Sequence, residues 1–281
     1  MHRSRALTRM LSVGLAAAAA VACASANPRP TVLTISEIRA RPVVRGEWID
    51  NYNTALASIV AMMTNELKLP DVRASLYFHR DRNAFRAALE VDGYTPEAAR
   101  ITADTLGAVS GYRRVLINED ELERVPWPAR IALLAHELTH TLQYEWSGGT
   151  RGTSDQWLRE GFAEWVEVQA LIRFGFTTPA RARAAIADRI RDAGGVRAFP
   201  RLSQMVTFPD WVLLAGRLPQ EAFYGFAGTA TERLIERHGL EKVIEYFQLF
   251  ALSDDRLDNF RRAFGQDFTE FEAAFMETFG R

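Results

Sequence analysis

The sequence has few of the residues and patterns on which several common protein functions depend. A single cysteine, Cys23, excludes a disulfide bond within the chain. The 34 basic residues are balanced by 35 acidic ones, so the basic surplus typical of nucleic-acid-binding proteins is missing. The chain also has no glycine-rich phosphate loop and no internal repeat. Hydrophobic residues nevertheless make up 48% of the chain, which indicates a folded protein rather than a disordered one.

The first 26 residues have the composition of an export signal. A basic start with three arginines precedes an apolar run over residues 11–21, and small-x-small tripeptides occur at 20–22 and 24–26. The apolar run is too short to span a bilayer as a helix of the mature protein. We therefore expect an exported protein, located in the periplasm or the cell envelope.

Cys23 lies where an exported bacterial lipoprotein carries its lipidated cysteine. The residues "AVAC" resemble a lipobox, although Ala20 stands where leucine is usual. Two alternatives remain open: a lipid on Cys23 anchors the protein to a membrane, or Cys23 is removed with the signal peptide. The oligomeric state is not indicated by the sequence.

The order of predicted elements favours an α+β fold with two lobes. Residues 27–45 are expected to form a linker or an N-terminal segment after the signal. Residues 46–146 mix strands and helices and are expected to form a small α/β lobe with a mixed sheet. Residues 147–281 are expected to form a mostly helical lobe, because almost every segment there has helical periodicity.

Hydrophobic periodicity locates the individual elements. Strands are predicted at 73–79 and 113–118, and helices at 48–67 and 81–89. The segment 193–219, which contains several glycines and prolines, is expected to be irregular. Further helices are predicted near 128–145, 156–175, 179–192, 220–238, 240–251, 254–264 and 267–279.

Two of the five histidines lie four residues apart in the segment "LLAHELTHTLQYEW", 133–146. On a helix, His136, Glu137 and His140 fall on the side opposite the apolar residues, so core packing does not require the histidines. The i, i+4 spacing puts both imidazoles one turn apart, where they can bind one tetrahedral zinc ion. Glu137 lies beside them and can reach a zinc-bound water. The alternative is a pair of surface histidines, and a third ligand decides between the two.

A candidate third ligand follows in "WLREGFAEW", 157–165. Glu160 lies 20 residues after His140, and the loop predicted at 147–154 allows the second helix to fold back against the first. Glu164 is one turn after Glu160 on the same face, where it can accept the free N–H of a ligating histidine. The alternative is that both glutamates are solvent-facing charges. Ser154 or Asp155 is expected to cap this helix.

"HELTH" followed by "WLREGFAEW" resembles the gluzincin metallopeptidases, which are relatives of thermolysin and of the zinc aminopeptidases. More narrowly, the chain is similar to the bacterial peptidase MA-like domain. The resemblance continues through "FYGFAGTATERLIERHG" and "NFRRAFGQDFTEFEAAF" and covers roughly residues 70 to 280. It assigns residues 46–281 to one peptidase domain. It also implies a zincin-like fold, with one zinc ion in the cleft between the two lobes.

The resemblance also implies roles for single residues. His136, His140 and Glu160 match the zinc ligands, Glu137 matches the general base, and Glu164 matches the acid that orients a ligand. The zinc aminopeptidases carry a Gly-x-Met-Glu-Asn strand before the zinc helix, whose glutamate holds the substrate amino group. The corresponding stretch here, "LGAVSGY" at 106–112, has no glutamate.

A second donor is needed for the oxyanion that develops during peptide hydrolysis. Tyr224, which matches a tyrosine of the family's downstream helix, is the first candidate, and a core aromatic role is its alternative. His238 is the second candidate, and a position at the end of a helix is its alternative. The expected function is hydrolysis of peptide or protein substrates by an exported zinc peptidase. Two other functions stay open: a non-catalytic zinc-binding scaffold of the cell envelope, and a zinc hydrolase acting on a non-peptide bond.

Overall fold

The described residues form an α+β fold in which a small sheet is followed by mostly helical chain. The computed structural model describes residues 29–42, 44–47 and 49–279. The predicted export signal and Cys23 lie outside these residues. Within them, none of the helices is both long and apolar enough to span a lipid bilayer.

The sheet has four strands in the order β1-β2-β4-β3. The β2–β4 pair is parallel and the two outer pairs are antiparallel, so the predicted mixed sheet is confirmed. The strands predicted at 73–79 and 113–118 correspond to β2 and β4. The four strands are β1 (Thr31–Thr34), β2 (Ser75–His79), β3 (Ala108–Gly111) and β4 (Arg114–Asn118).

The two outer strands were not among the predicted elements. β1 lies within residues 27–45, which were expected to form a linker or an N-terminal segment, and it forms a strand there instead of an extended linker. Both β1 and β3 have only four residues, which is too short a run for alternation to be recognised. Their strand conformation is stabilised by pairing with β2 and β4, which the local sequence does not specify.

The two faces of β4 belong to different parts of the core. Val115 and Ile117 are buried in the main core, whereas Leu116 packs with Phe85 and Leu89 in a smaller cluster under the connection from β2 to β4. This alternation follows from the period of two in a strand. The sheet is therefore covered on both faces, and β3 contacts the long helix that carries the histidine pair.

Twelve helices are found among the described residues, and nine of the sequence predictions coincide with one of them. The predicted helix at 48–67 begins at Tyr52 and continues as a wider π-type turn from Met62 to Glu66. The helices are α1 (Tyr52–Ala61), α2 (Arg82–Val91), α3 (Pro96–Thr105), α4 (Glu119–Glu123), α5 (Trp127–Trp146), α6 (Gln156–Arg173), α7 (Pro179–Asp192), α8 (Phe208–Ala215), α9 (Gln220–His238), α10 (Leu240–Leu249), α11 (Arg256–Phe264) and α12 (Phe268–Phe279).

The segment 193–219 is less irregular than expected, because α8 lies within it. Thr207 precedes this helix and accepts a hydrogen bond from the Asp210 backbone N–H, and Pro209 lies in the first turn. Threonine before a first-turn proline and an aspartate is a helix-start pattern, so the sequence did contain a usable signal.

α6 lies between α5 and α9 and makes its most extensive contacts with these two helices. The predicted side-chain cap at its start is wrong. Asp155 occupies the N-cap position, but its carboxylate instead accepts hydrogen bonds from Tyr246 Oη at 2.7 Å and Arg256 Nη1 at 2.8 Å. Asp155 therefore ties the start of α6 to α10 and α11.

Candidate metal centre

Helix α5 places the histidine pair as its spacing predicts. The residues opposite the pair are buried in the core, which confirms the predicted apolar face. His136 and Glu137 are themselves only 8% exposed, so they lie inside the protein rather than on its surface. This burial excludes the surface-histidine alternative for His136. The apolar residues of this face are Ile131, Leu134, Ala135, Leu138 and Leu142.

Three donor atoms from α5 and α6 converge on one point. The Nε2 atoms of His136 and His140 each lie 3.4 Å from Oε2 of Glu160. All three donor atoms lie within 4.8 Å of one another, so the group could hold a metal ion. Tetrahedral zinc with bonds of about 2.0–2.1 Å requires donors roughly 3.3 Å apart. Both distances from the histidine nitrogens to Glu160 fit this requirement.

The electrostatics of this point favour a positive charge. Burial by itself would raise the pKa of Glu160, but the neighbouring rings of His140 and His136 outweigh it and lower that pKa well below its usual value. Burial would likewise lower the pKa of His136, but Glu160 and Glu167 raise it well above its usual value. A carboxylate that remains ionised while buried among ring nitrogens is a typical cation ligand.

Glu160 presents only one of its two oxygens to the histidines. Its other oxygen, Oε1, accepts a hydrogen bond of 2.5 Å from the Gln156 side-chain amide. The amide is oriented in turn by Arg151, whose Nη2 donates to Gln156 Oε1 at 2.7 Å. Gln156 lies one helical turn before Glu160, so a single face of α6 supplies both the ligand and the group that fixes its orientation.

His140 is oriented by a glutamine that the sequence analysis did not single out. Nδ1 of His140 lies 2.8 Å from Oε1 of Gln143, and Nε2 of Gln143 donates to the backbone oxygen of Arg159 at 2.9 Å. The amide orientation requires His140 to carry its proton on Nδ1, which leaves Nε2 free to bind a metal. Gln143 is fully buried. Its position three residues after His140, on the same side of the helix, is the only signal of this contact that the sequence contains.

His136 is contacted by a different acid from the one expected. Its Nδ1 lies 3.4 Å from Oε2 of Glu167, whereas Glu164 lies nearby but outside ion-pair distance. Burial, and then the charge of Glu167, raise the pKa of Glu164 to about 8. Both effects favour the neutral form of Glu164, and the acid within ion-pair distance of His136 is Glu167. The contact to His136 that was predicted for Glu164 is thus made by Glu167, about one turn further along α6.

Glu137 lies beside the ligands, and strand β3 holds its side chain. The Ser110 hydroxyl is 2.5 Å from Oε2 of Glu137 and 2.8 Å from the backbone oxygen of the same residue. Ser110 belongs to the stretch 106–112, in which the sequence analysis noted the missing glutamate. The strand before the metal helix therefore supplies a contact to Glu137 instead of an acidic side chain.

The two candidates for a second donor have different positions. The ring of Tyr224 lies 6.1 Å from the ring of His136, and its hydroxyl accepts a hydrogen bond from Trp211 Nε1 at 3.3 Å. Burial raises the pKa of Tyr224, so its phenol keeps the proton and can donate it in a hydrogen bond. His238 lies at the far end of α9, where its Nε2 is 3.1 Å from Gln266 Nε2. His238 is therefore wrong as a candidate donor.

A cleft of about 610 Å³ opens beside His136 and Glu137. Glu164, Glu167 and Tyr224 contribute to its polar lining. Its volume lies within the range of small-ligand pockets. The apolar part of the lining comes from several elements and includes Leu106, Leu133, Val168, Leu171 and Ile186.

Comparison with known proteins gives no relative of this chain. No protein-family model matches it, no curated protein matches it, and no solved structure matches it. The functional argument therefore depends on the geometry of the metal centre and its cleft.

Proposed function

We propose that this protein is an exported zinc metallopeptidase of the gluzincin type, with a zincin-like fold and one zinc ion between the two lobes. The observation that carries this proposal is the convergence of three donor atoms, from His136, His140 and Glu160, with each histidine Nε2 3.4 Å from the same Glu160 oxygen, close to the spacing that a tetrahedral zinc ion requires. Two nitrogens and one carboxylate also leave a fourth position open, as in catalytic rather than structural zinc sites.

The chemistry proposed for the site divides between the ion and the chain. A bound zinc ion supplies Lewis acidity, which makes a water more acidic and polarises a peptide carbonyl. Glu137, which is not a ligand, accepts a proton from the attacking water on its carboxylate and later delivers it to the leaving amine. Ser110 keeps the Glu137 carboxylate in position for both transfers, because its hydroxyl contacts Oε2.

Tyr224 is proposed as the second donor to the oxyanion. Its ring is adjacent to His136, it lines the cleft, and its phenol is protonated. The bond from Trp211 occupies an acceptor position of the Tyr224 oxygen and leaves the hydroxyl hydrogen for a ligand in the cleft. Donors aimed at developing negative charge contribute strongly in a site that excludes water.

The experiment that tests the proposal pairs metal analysis with a digest. Purified protein without its signal is expected to hold one zinc ion per chain and to cleave members of a broad peptide library. Treatment with a chelator should abolish cleavage, and added zinc should restore it. Full zinc content without cleavage of any peptide would support a zinc-binding scaffold or a hydrolase for another bond.

A further inference from the structure

Two arginines adjoin the metal centre on the side of His140 and Glu160, away from the cleft beside His136. Arg151 is separated from Glu160 by a single side chain, the amide of Gln156, with which both residues form hydrogen bonds. Arg159 precedes Glu160 on α6, and its guanidinium lies 5.4 Å from the ring centroid of Tyr144. Tyr144 follows His140 by one helical turn, so this ring and the metal ligand share a face of α5.

Arg159 is a buried cation without a carboxylate partner. The residue is 2% exposed. Its Nη1 donates to the backbone oxygen of Arg151 at 2.8 Å and to Ser154 Oγ at 3.3 Å. Among the described residues, no carboxylate lies within ion-pair distance of Arg159. A buried charge is costly unless a counter-charge accompanies it, so this position favours the approach of an anion.

Arg151 carries the second charge and is partly exposed to solvent. Its guanidinium lies 4.5 Å from the ring centroid of Phe208, a half-exposed residue at the start of α8. Like Arg159, Arg151 has no carboxylate partner in the part of the chain that the structure describes. Two adjacent guanidinium groups repel each other, and a bound anion would relieve that repulsion.

We propose that Arg151 and Arg159 form a carboxylate-binding subsite next to the metal centre, so that the preferred peptide substrates carry a carboxylate at the position that reaches it. The proposal rests on the peptidase function proposed above. Arg151 touches the ligand, because it is the accessible member of the pair. Arg159 adds a buried positive charge and holds the backbone of Arg151 in place. Arginine is well suited to this role, since its planar fork binds a carboxylate through two parallel hydrogen bonds.

The proposal is tested by peptide binding rather than by turnover. The Glu137→Gln protein, loaded with zinc and immobilised, is incubated with random hexapeptide libraries, and the retained peptides are sequenced. Libraries with an amidated and with a free carboxyl terminus distinguish an acidic side chain from a terminal carboxylate as the source of the charge. We expect Asp and Glu over Asn and Gln at one position, or the free over the amidated terminus, by roughly tenfold, as for a hydrogen-bonded charge pair.

Two substitutions of Arg151 and one control variant test which arginine causes the preference for a carboxylate. Arg151→Gln, placed in the same background, should remove most of this preference, and Arg151→Lys should retain part of it. The matched control is Arg189→Gln, because Arg189 is an arginine of the cleft lining that already has a carboxylate partner, Glu221, at 3.0 Å. The control should keep the preference. Zinc content is measured in every variant, since Arg151 also contacts Gln156.

The outcomes are distinct. Loss of the preference in Arg151→Gln at full zinc content, with the control unchanged, supports the subsite. No preference in the parent protein, an unchanged preference in Arg151→Gln, or an equal loss in Arg189→Gln would overturn it. Wild-type protein that selects carboxylates but cleaves no peptide would contradict the proposed peptidase function while still supporting the subsite.

Discussion

Glu160 uses its two carboxylate oxygens for different purposes. Oε2 faces both histidine rings, and Oε1 is occupied by the amide of Gln156. The carboxylate is held in place on one side and open to a cation on the other. A residue fixed in this way should contribute more to metal affinity than a mobile acid of the same charge.

Replacing Glu160 by alanine should therefore remove most of the bound zinc. The variant loses one of three donors and leaves the two imidazoles without their counter-charge. Zinc per chain, measured by elemental analysis, should fall from about one to a small fraction, while circular dichroism shows an intact fold. Glu221→Ala is the control, because Glu221 lines the same cleft but is largely exposed. Full zinc content in the folded Glu160→Ala protein would show that the ligand set is wrong.

The sequence could predict the candidate ligands but not the residues that orient them. Residues four apart on a helix lie one turn apart on the same side, so the sequence alone brings His136 and His140 together. Which acid of α6 meets His136 depends on the rotation of α6 against α5, which is set by packing rather than by local sequence. Glu164 and Glu167 both lie near His136, and only the packed structure shows that Glu167 makes the contact.

At the scale of elements, the position of the metal centre depends on how closely α6 approaches α9. Gly161, directly after Glu160, lies against the α9 backbone at Ala227 and the hydroxyl of Thr231. Any Cβ at this position would overlap with both groups. The glycine therefore sets the spacing of the two helices, and with it the distance of Glu160 from the histidines.

Replacing Gly161 by alanine should destabilise the protein by about 2 kcal/mol or more, because an overlap with backbone cannot be relieved by a side-chain movement. Helix propensity alone would favour alanine, so the sign of the effect tests the packing. The measurement is chemical denaturation, together with zinc content. The control, Gly216→Ala, meets only atoms at 3.6 Å and beyond and should change little. A Gly161→Ala protein as stable as the wild type would contradict the close approach.

Long helices were predicted well because several turns of periodicity mark them. α5, α6 and α9 coincide with their predicted ranges to within two residues. Most of the elements that were missed are short or depend on distant partners. The ten-residue helix α3 was missed as well, although Thr95 and Pro96 are a helix-start pattern. β1 and β3 have four residues each and are stabilised by pairing, and α8 has eight residues within a segment with several prolines. Tertiary contacts therefore decide these elements, as expected for short segments.

At the scale of the whole molecule, a buried ion pair connects α6, which carries Glu160, to the C-terminal helices. Asp155 is fully buried and pairs with Arg256, whose side chain is 25% exposed. Burial raises the pKa of Asp155 to about 6, and Arg256 acts against this rise. Between about pH 4 and pH 6, the Asp155 carboxyl therefore binds its proton more tightly in the native protein than in the unfolded chain. The contribution of Asp155 to stability therefore falls as pH rises through that window.

Replacing Arg256 by methionine should destabilise the protein by about 3 kcal/mol at pH 8. This value is at the lower end of the range for breaking a buried ion pair, because Arg256 is partly exposed. The loss of stability caused by this substitution should be smaller at pH 5. Without Arg256 the pKa of Asp155 rises further, so at pH 5 the carboxyl is neutral and no unpaired charge is buried. Urea denaturation at both pH values measures this, with the exposed Arg262→Met as the control. Equal costs at pH 5 and pH 8 would contradict the account of Asp155.

The location of the whole protein is tested at Cys23. If Cys23 is lipidated, Cys23→Ala should move the protein from the membrane fraction to the soluble exported fraction, because the lipid supplies the anchor. Fractionation followed by immunoblotting measures the change. Wild-type protein found wholly in the soluble exported fraction, with an amino terminus after Cys23, would rule out the lipid.

The measurement that tests the central claim most directly is turnover by Glu137→Gln at known zinc content. Glu137 is not a ligand, and glutamine is nearly isosteric and keeps an oxygen for Ser110, so zinc should remain at wild-type stoichiometry. In the proposed mechanism, the change removes the group that accepts the proton from water and returns it to the leaving amine. Cleavage of a peptide that the wild type hydrolyses should therefore slow by about 10²–10⁴-fold, the usual contribution of general acid–base catalysis. Undiminished cleavage by the zinc-loaded variant would contradict the account and place the chemistry elsewhere.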